Sequence, residues 1–416
     1  MLRSVKQGFR FKFFQSLATK QNLICNFEKK KFLKTEHNIN RIQYLLSLYN
    51  MTMDDLLSSV NEGLKKKIEL SDIYSEEINL NVLKRIDKIF NKGLNFYLDP
   101  KDIEVNKEAS IFFRKTHFNS ELNIGTKKIV NHFEELKLNL STISKLSDLS
   151  FERTIEIYKT SDSPLKVANE VRSKLYPEFT LNSRDFLKAF IGKLGANNIF
   201  VFEFIETWNK KEKANIDGFF LQPNFIVLKR QQKSFKREIF TLAHELGHYL
   251  LNKEEVEQVT TLNIASENLS KIERWCNDFA YYFLINNYEK FINDIKFANS
   301  QNDYYLQEIE DISKFTHLSK LSLYTRLLYE NKISKSSYNN IREDFDNQYK
   351  LRIAEEDRKK ELDRLNGVKI GGAVPKPINS PLFISTIQTA FYEGVINEYE
   401  VCKRLNIKPE KLEAYL

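Results

Sequence analysis

Apolar positions recur with a helical period through most of the chain. Ile39, Ile42, Leu45, Leu46 and Leu48 form one stripe, and Thr52, followed by Asp54 and Asp55, has the makings of a cap for a second helix through Leu56 and Leu57. Beyond Lys65-Lys66-Lys67, a further stripe runs through Leu80, Val82, Leu83, Ile86 and Ile89. Short helices, tight turns and a lysine cluster over residues 38–100 suggest a helix-turn-helix module, and a small helical bundle fits the same pattern. Residues 101–162 read as a mostly helical connector with Phe112-Phe113-Arg114 as an apolar break.

The period changes in the next segment, residues 163–290. Two helical patterns separated by Tyr176-Pro177 precede Ile199-Phe200-Val201-Phe202-Glu203-Phe204-Ile205, an aromatic and β-branched run that predicts a strand. Asp217-Gly218 marks a turn, and Phe219-Phe220-Leu221 and Phe225-Ile226-Val227-Leu228 predict two more strands. Long helices are expected over residues 235–251 and 270–286. Helices, a small antiparallel sheet and then two helices describe an α+β core inside a mostly helical, multidomain chain. Residues 291–366 are expected to be helical, with a helix-turn-helix-like pair ending at Ile341 and a separate charged helix from Glu343 to Leu365. Gly367, Gly371-Gly372, Pro375, Pro377 and Pro381 mark a linker over 367–381, and 382–416 form a C-terminal helical module.

Composition narrows the class. A chain of 416 residues exceeds one ordinary core. No uninterrupted apolar run is long enough to span a bilayer, so no membrane role is expected. Cys25, Cys276 and Cys402 are odd in number and far apart, which argues against a disulfide framework and fits a reducing cytoplasm. The net charge of +8 is compatible with nucleic-acid contact or with an ordinary solvated surface. Residues 1–37 begin with an acid-free basic stretch that reads as a poorly ordered extension, with a transit peptide or over-extended gene start as alternatives. Oligomeric state is left open.

The chemistry concentrates at His244-Glu245-Leu246-Gly247-His248. Two histidines four positions apart share a helix face and can direct nitrogens at one tetrahedral ion. Glu245, rotated about 100° from His244, can serve as general base without being a ligand. Two surface histidines on a helix are the plain alternative, but Ile239, Phe240, Leu242, Ala243, Leu246 and Leu250 make this helix largely buried, and buried histidines need partners. A catalytic zinc also takes a third protein ligand. Glu273 on the following helix is the candidate, Asp278 the runner-up, and Asn277 a hydrogen-bonding support for a ligand. His132 and His317 have no supporting local pattern. Tyr249, Tyr281 and Tyr282 are nearby candidates for oxyanion stabilisation, with ring packing as the plainer role of each. The strand at Phe225 to Leu228 is expected to hold extended substrate by edge pairing.

Phe240-Thr241-Leu242-Ala243-His244-Glu245-Leu246-Gly247-His248, followed by Glu273-x-x-Cys276-Asn277-x-Phe279-Ala280, resembles the ImmA/IrrE-type zinc metallopeptidases. The resemblance implies a zincin-like core with Zn2+ on His244, His248 and Glu273 and with Glu245 as catalytic base. It also implies a narrow protein substrate, commonly a helix-turn-helix repressor or antitoxin-like regulator, and an N-terminal Xre-like domain. Cys276 departs from the family's usual alanine and is read as a buried hydrophobe; Leu284-Ile285-Asn286 departs from its usual Leu-Met-Pro. The rival reading is a DNA-binding transcriptional regulator that uses the peptidase fold as sensor or scaffold. Glu62, Glu69, Asp72, Glu76 and Glu77, lying where a recognition helix belongs, weigh against it by repelling phosphates.

Overall fold

The computed structural model describes residues 34–49, 51–103, 122–206, 213–230, 234–255, 270–368 and 376–416. The basic stretch at the start of the chain, Phe112-Phe113-Arg114 and Gly371-Gly372 lie outside those residues. Two compact units divide the chain, Met1–Ser120 and Glu121–Leu416.

In the first unit, the strand β1 (Lys34–Glu36) pairs antiparallel with β2 (Glu77–Asn79), a short contact that the polar sequence did not announce. Around them pack α1 (Ile39–Tyr49), α2 (Met53–Asn61), α3 (Leu70–Tyr74), α4 (Leu80–Phe90) and α5 (Leu94–Leu98). Thr52 caps α2 as its sequence predicts: its hydroxyl accepts from the Asp55 N–H, and the Asp55 carboxylate accepts from the Thr52 N–H. Leu45, Leu56, Ile73, Leu83 and Ile86 form the apolar interior. Within the acidic stretch 61–77, only the end of α2 and the five-residue α3 are helical.

The second unit opens with α6 (Ile124–Leu146), after which residues 147–163 are irregular rather than helical. Then come α7 (Pro164–Leu175), α8 (Ser183–Gly195), β3 (Phe200–Phe204), β4 (Gly218–Leu221) and β5 (Phe225–Lys229). The sheet is mixed, not antiparallel as expected from the hairpin signals. Its order is β3-β5-β4, with β5 parallel to β3 and antiparallel to β4. After the β4–β5 turn the chain inserts β5 between its two predecessors, which places the apolar run Phe225-Ile226-Val227-Leu228 where both faces are covered; all four residues are buried. Both edges of β5 are therefore paired, and substrate cannot add to it. Among these three strands the edges belong to β3 and β4.

One face of this sheet, including Val201, Phe220, Ile226 and Leu228, packs into the core shared with α8, α9 (Phe235–Leu251) and α10 (Lys271–Ile285). The other carries Phe200, Phe202, Phe219 and Phe225, covered by Phe133 of α6 and by Phe383 of α15 (Pro381–Tyr392). Leu242 and Leu246 of α9 are fully buried, each contributing about 1.5–3 kcal/mol relative to exposure.

Beyond α10 lie α11 (Glu289–Asp294), α12 (Leu306–Thr316), α13 (Lys320–Tyr329) and α14 (Lys335–Leu365), and α16 (Glu398–Leu405) follows α15. The expected break between Ile341 and Glu343 does not occur. Ser334 caps α14 and no Gly or Pro interrupts the next thirty residues, so the charged segment continues the same helix although only Tyr338 and Ile341 are buried.

Candidate metal centre and active site

Helix α9 starts at Ser234, whose hydroxyl accepts from the Arg237 N–H, and every residue from Glu245 to Leu251 is buried. Helix α10 starts at Ser270, whose hydroxyl accepts from the Glu273 N–H. Ser270-x-x-Glu273 is a capping-box spacing, yet the carboxylate of Glu273 does not turn back to the cap. It points at two imidazoles instead. Its Oε2 lies 3.1 Å from His244 Nε2 and its Oε1 3.1 Å from His248 Nε2, and the two Nε2 atoms are themselves 3.1 Å apart.

The approach of the two helices depends on Gly247. A Cβ there would stand 3.1 Å from both Cα and Sγ of Cys276, closer than ordinary packing allows. Cys276 is buried in this seam, as a hydrophobe filling it and not as a ligand. Gly218, the first residue of β4, makes a second close approach: a Cβ would meet Thr241 Cγ2 at 2.7 Å and Glu245 Cγ at 3.2 Å. The sheet thereby seats Glu245 against α9.

These residues fit a metal. Donors held at about 2.0–2.1 Å in a tetrahedral site are separated from one another by about 3.3 Å. His244, His248 and Glu273 can each offer a ligand atom within 4.8 Å of the others, and the distances above are close to the tetrahedral spacing. All three groups are electron-pair donors, and among the described residues no Lys or Arg forms an ion pair with Glu273 or Glu245. The Nδ1–H of His244 donates to Asn277 Oδ1 at 3.1 Å, which fixes the ring's orientation and turns Nε2, the nitrogen left to bind a metal once its proton is lost, towards the other donors. Glu245, only 5% exposed, has a buried Oε2 with no hydrogen-bond partner.

Residues 201–328 match the model of the M78 peptidase family, described as the IrrE N-terminal-like domain. This is an ImmA/IrrE-type metallopeptidase domain. No curated protein matches the chain. The matched part of the M78 domain runs from β3 into α13, so it contains the sheet, both site helices and the helix that packs beside Asp278.

Electrostatics within the M78 domain follow from burial and from the crowding of like groups. Burial disfavours charge on His244, but the neighbouring Glu273 carboxylate outweighs it and raises the imidazole to about 9. Burial likewise pushes the Glu273 carboxyl up, and the two histidines overcome this and hold it well below the usual carboxylate range. Glu245 is raised to about 7, first by burial, against the pull of His248 and His244. A carboxyl poised there can both take and return a proton near neutral pH.

The other sequence candidates fall elsewhere. Asp278 pairs with Arg326 of α13 at 2.8 Å and is not among the grouped donors. Tyr249 lies under the Arg153 guanidinium, 3.8 Å from its ring centre, and Tyr282 accepts from Arg326 through its hydroxyl at 2.6 Å. Tyr281 packs against the same arginine. His317 is a fully buried structural residue, bonded to Ser183 Oγ and the Thr180 carbonyl. His132 sits on α6 against Phe133. Gly218 was legible only as a turn residue and Arg326 had no local signal, because each acts on a partner far away in sequence.

Proposed function

We propose that this chain is a zinc-dependent endopeptidase in which His244, His248 and Glu273 hold the metal and Glu245 is the general base. The observation carrying this is the three-donor array with 3.1 Å spacing beside an unpartnered, buried carboxyl oxygen of Glu245. Two imidazoles and one carboxylate suit zinc, and three protein ligands leave the open position that a catalytic site keeps. When bound, zinc supplies a Lewis acid that acidifies water and polarises a peptide carbonyl. Glu245, buried beside the three donors, accepts the proton of the attacking water and returns it to the leaving amine. Asn277 orients His244 throughout. Extended substrate pairs with β4, the edge strand whose first residue abuts Glu245, instead of with β5.

The substrate class adopted with this reading is a helix-turn-helix repressor or antitoxin-like protein, as the family resemblance implies. Glu245→Gln should retain stoichiometric zinc and lose cleavage by about a hundredfold or more. New N-termini appearing in an extract of the producing organism, compared between wild type and variant, measure this and name the substrate. A zinc-replete Glu245→Gln protein that cleaves at the wild-type rate overturns the assignment.

A further inference from the structure

We propose that a cavity between α9, α10 and α13 is the side-chain subsite of this centre, accepting an uncharged side chain of leucine-to-glutamine size from a residue flanking the scissile bond. The inference rests on the peptidase reading. Phe240, Asn277, Asp278, Tyr281, Thr325 and Arg326 line the cavity. Two of them tie it to the metal centre. Phe240 stands one turn before His244 on the same helix face, and Asn277 is the residue that holds His244 Nδ1. A peptide carbonyl placed at the centre therefore has its neighbouring side chain within reach of this opening.

Size and polarity select the occupant. The cavity offers about 40 Å³, room for roughly three waters or one medium side chain. Its charges already have partners: Arg274, also in the lining, is not free, and Arg326 is fully engaged. Arg326 bonds Asp278 Oδ1 at 2.8 Å through Nη1, Glu330 Oε1 at 2.6 Å through Nε and the Tyr282 hydroxyl at 2.6 Å through Nη2, while its guanidinium carbon lies 4.5 Å from the Tyr281 ring centre. A charged side chain entering here would lose its hydration without gaining a free counter-ion. Among the buried side-chain polar atoms of the lining residues, one has no hydrogen-bond partner: the hydroxyl of Tyr281, on a residue 5% exposed. An amide carbonyl such as that of glutamine can accept from it; an aliphatic side chain gains only the apolar walls.

The test uses the zinc-loaded full-length protein and a series of dipeptide-like hydroxamates that differ only in the side chain next to the chelating group: hydrogen, isobutyl, carboxamidoethyl and carboxyethyl. Calorimetric titration should show the isobutyl and carboxamidoethyl compounds binding roughly tenfold or more tighter than the unsubstituted one, with no gain for carboxyethyl. Tyr281→Phe should remove the carboxamidoethyl advantage and keep that of isobutyl. Ser322→Trp, which fills the cavity from α13, should compress the series to within about twofold while zinc content confirms an intact centre. Equal affinities across the series in the wild type overturn the subsite and leave the metal centre standing. A carboxamidoethyl gain that survives Tyr281→Phe overturns the role of that hydroxyl. If no compound binds, the unsubstituted one included, the peptidase reading fails and the subsite with it.

Discussion

Helix α9 enters two buried polar clusters, and they are built oppositely. At its first turn Glu238 bonds Arg230, whose guanidinium also lies 3.8 Å from Glu203 and 4.3 Å from the Phe235 ring centre. Side chains in this trio are at most 6% exposed, and Glu203 accepts a further hydrogen bond at 2.6 Å from the Ile378 N–H. Farther along the helix, His244, Glu245 and His248 meet Glu273, all of them buried except the partly exposed His244. The first cluster carries its own cation, shared between two carboxylates. The second is made of electron-pair donors and an acid, and in the protein alone it is held together by protons. A set of buried donors without a protein cation is suited to bind one, whereas a paired set is suited only to fasten the start of the helix. Burial and charge count alone would not have separated them; the sign of the charges does.

That contrast can be broken most severely at Arg230. Arg230→Met leaves two buried carboxylates without their cation and should cost about 3–5 kcal/mol, read from urea unfolding, with added zinc restoring none of it. A loss that zinc repairs would mean the clusters are not independent. Asn277→Ala sharpens the other side. Releasing His244 Nδ1 should weaken metal affinity by about 10–100-fold in chelator competition, with little change in the unfolding of the metal-free protein. An unchanged affinity would reduce Asn277 to a packing residue.

Gly247→Ala probes the seam on which the donor array depends. The added methyl meets Cys276 backbone and side chain together, so about 1–3 kcal/mol of stability should be lost in urea unfolding. The smallest effect is the slope with pH. In the metal-free protein His244 keeps its proton up to about 9, because Glu273 outweighs burial, and binding must expel it. Metal affinity should accordingly rise with pH by roughly tenfold per unit below that value, with one proton released per ion in calorimetry run in two buffers. A flat profile would show that His244 is already neutral and that its pairing with Glu273 is weaker than the geometry implies.

How much of this was legible beforehand differs from element to element. The span of α9, the Thr52 cap, the strands and the His-x-x-x-His face followed from short-range spacing, since a helix face and a capping hydroxyl depend only on residues within one or two turns. Glu273 and Asn277 were legible as candidates by their spacing on a second helix. Other features needed the folded chain. The order β3-β5-β4 was hidden because hairpin signals specify a turn, not which side of a neighbour the turn returns on. The diversion of Asp278 to Arg326 joins residues 48 positions apart. Ser270-x-x-Glu273 by itself describes a helix cap, and only the crossing of α9 and α10 at Gly247 turns that carboxylate towards two histidines. Local sequence, acting over a turn or so of chain, determined which helices form and which donors they carry. Tertiary packing decided which donors meet, because convergence at 3.1 Å is set by how closely two backbones can approach.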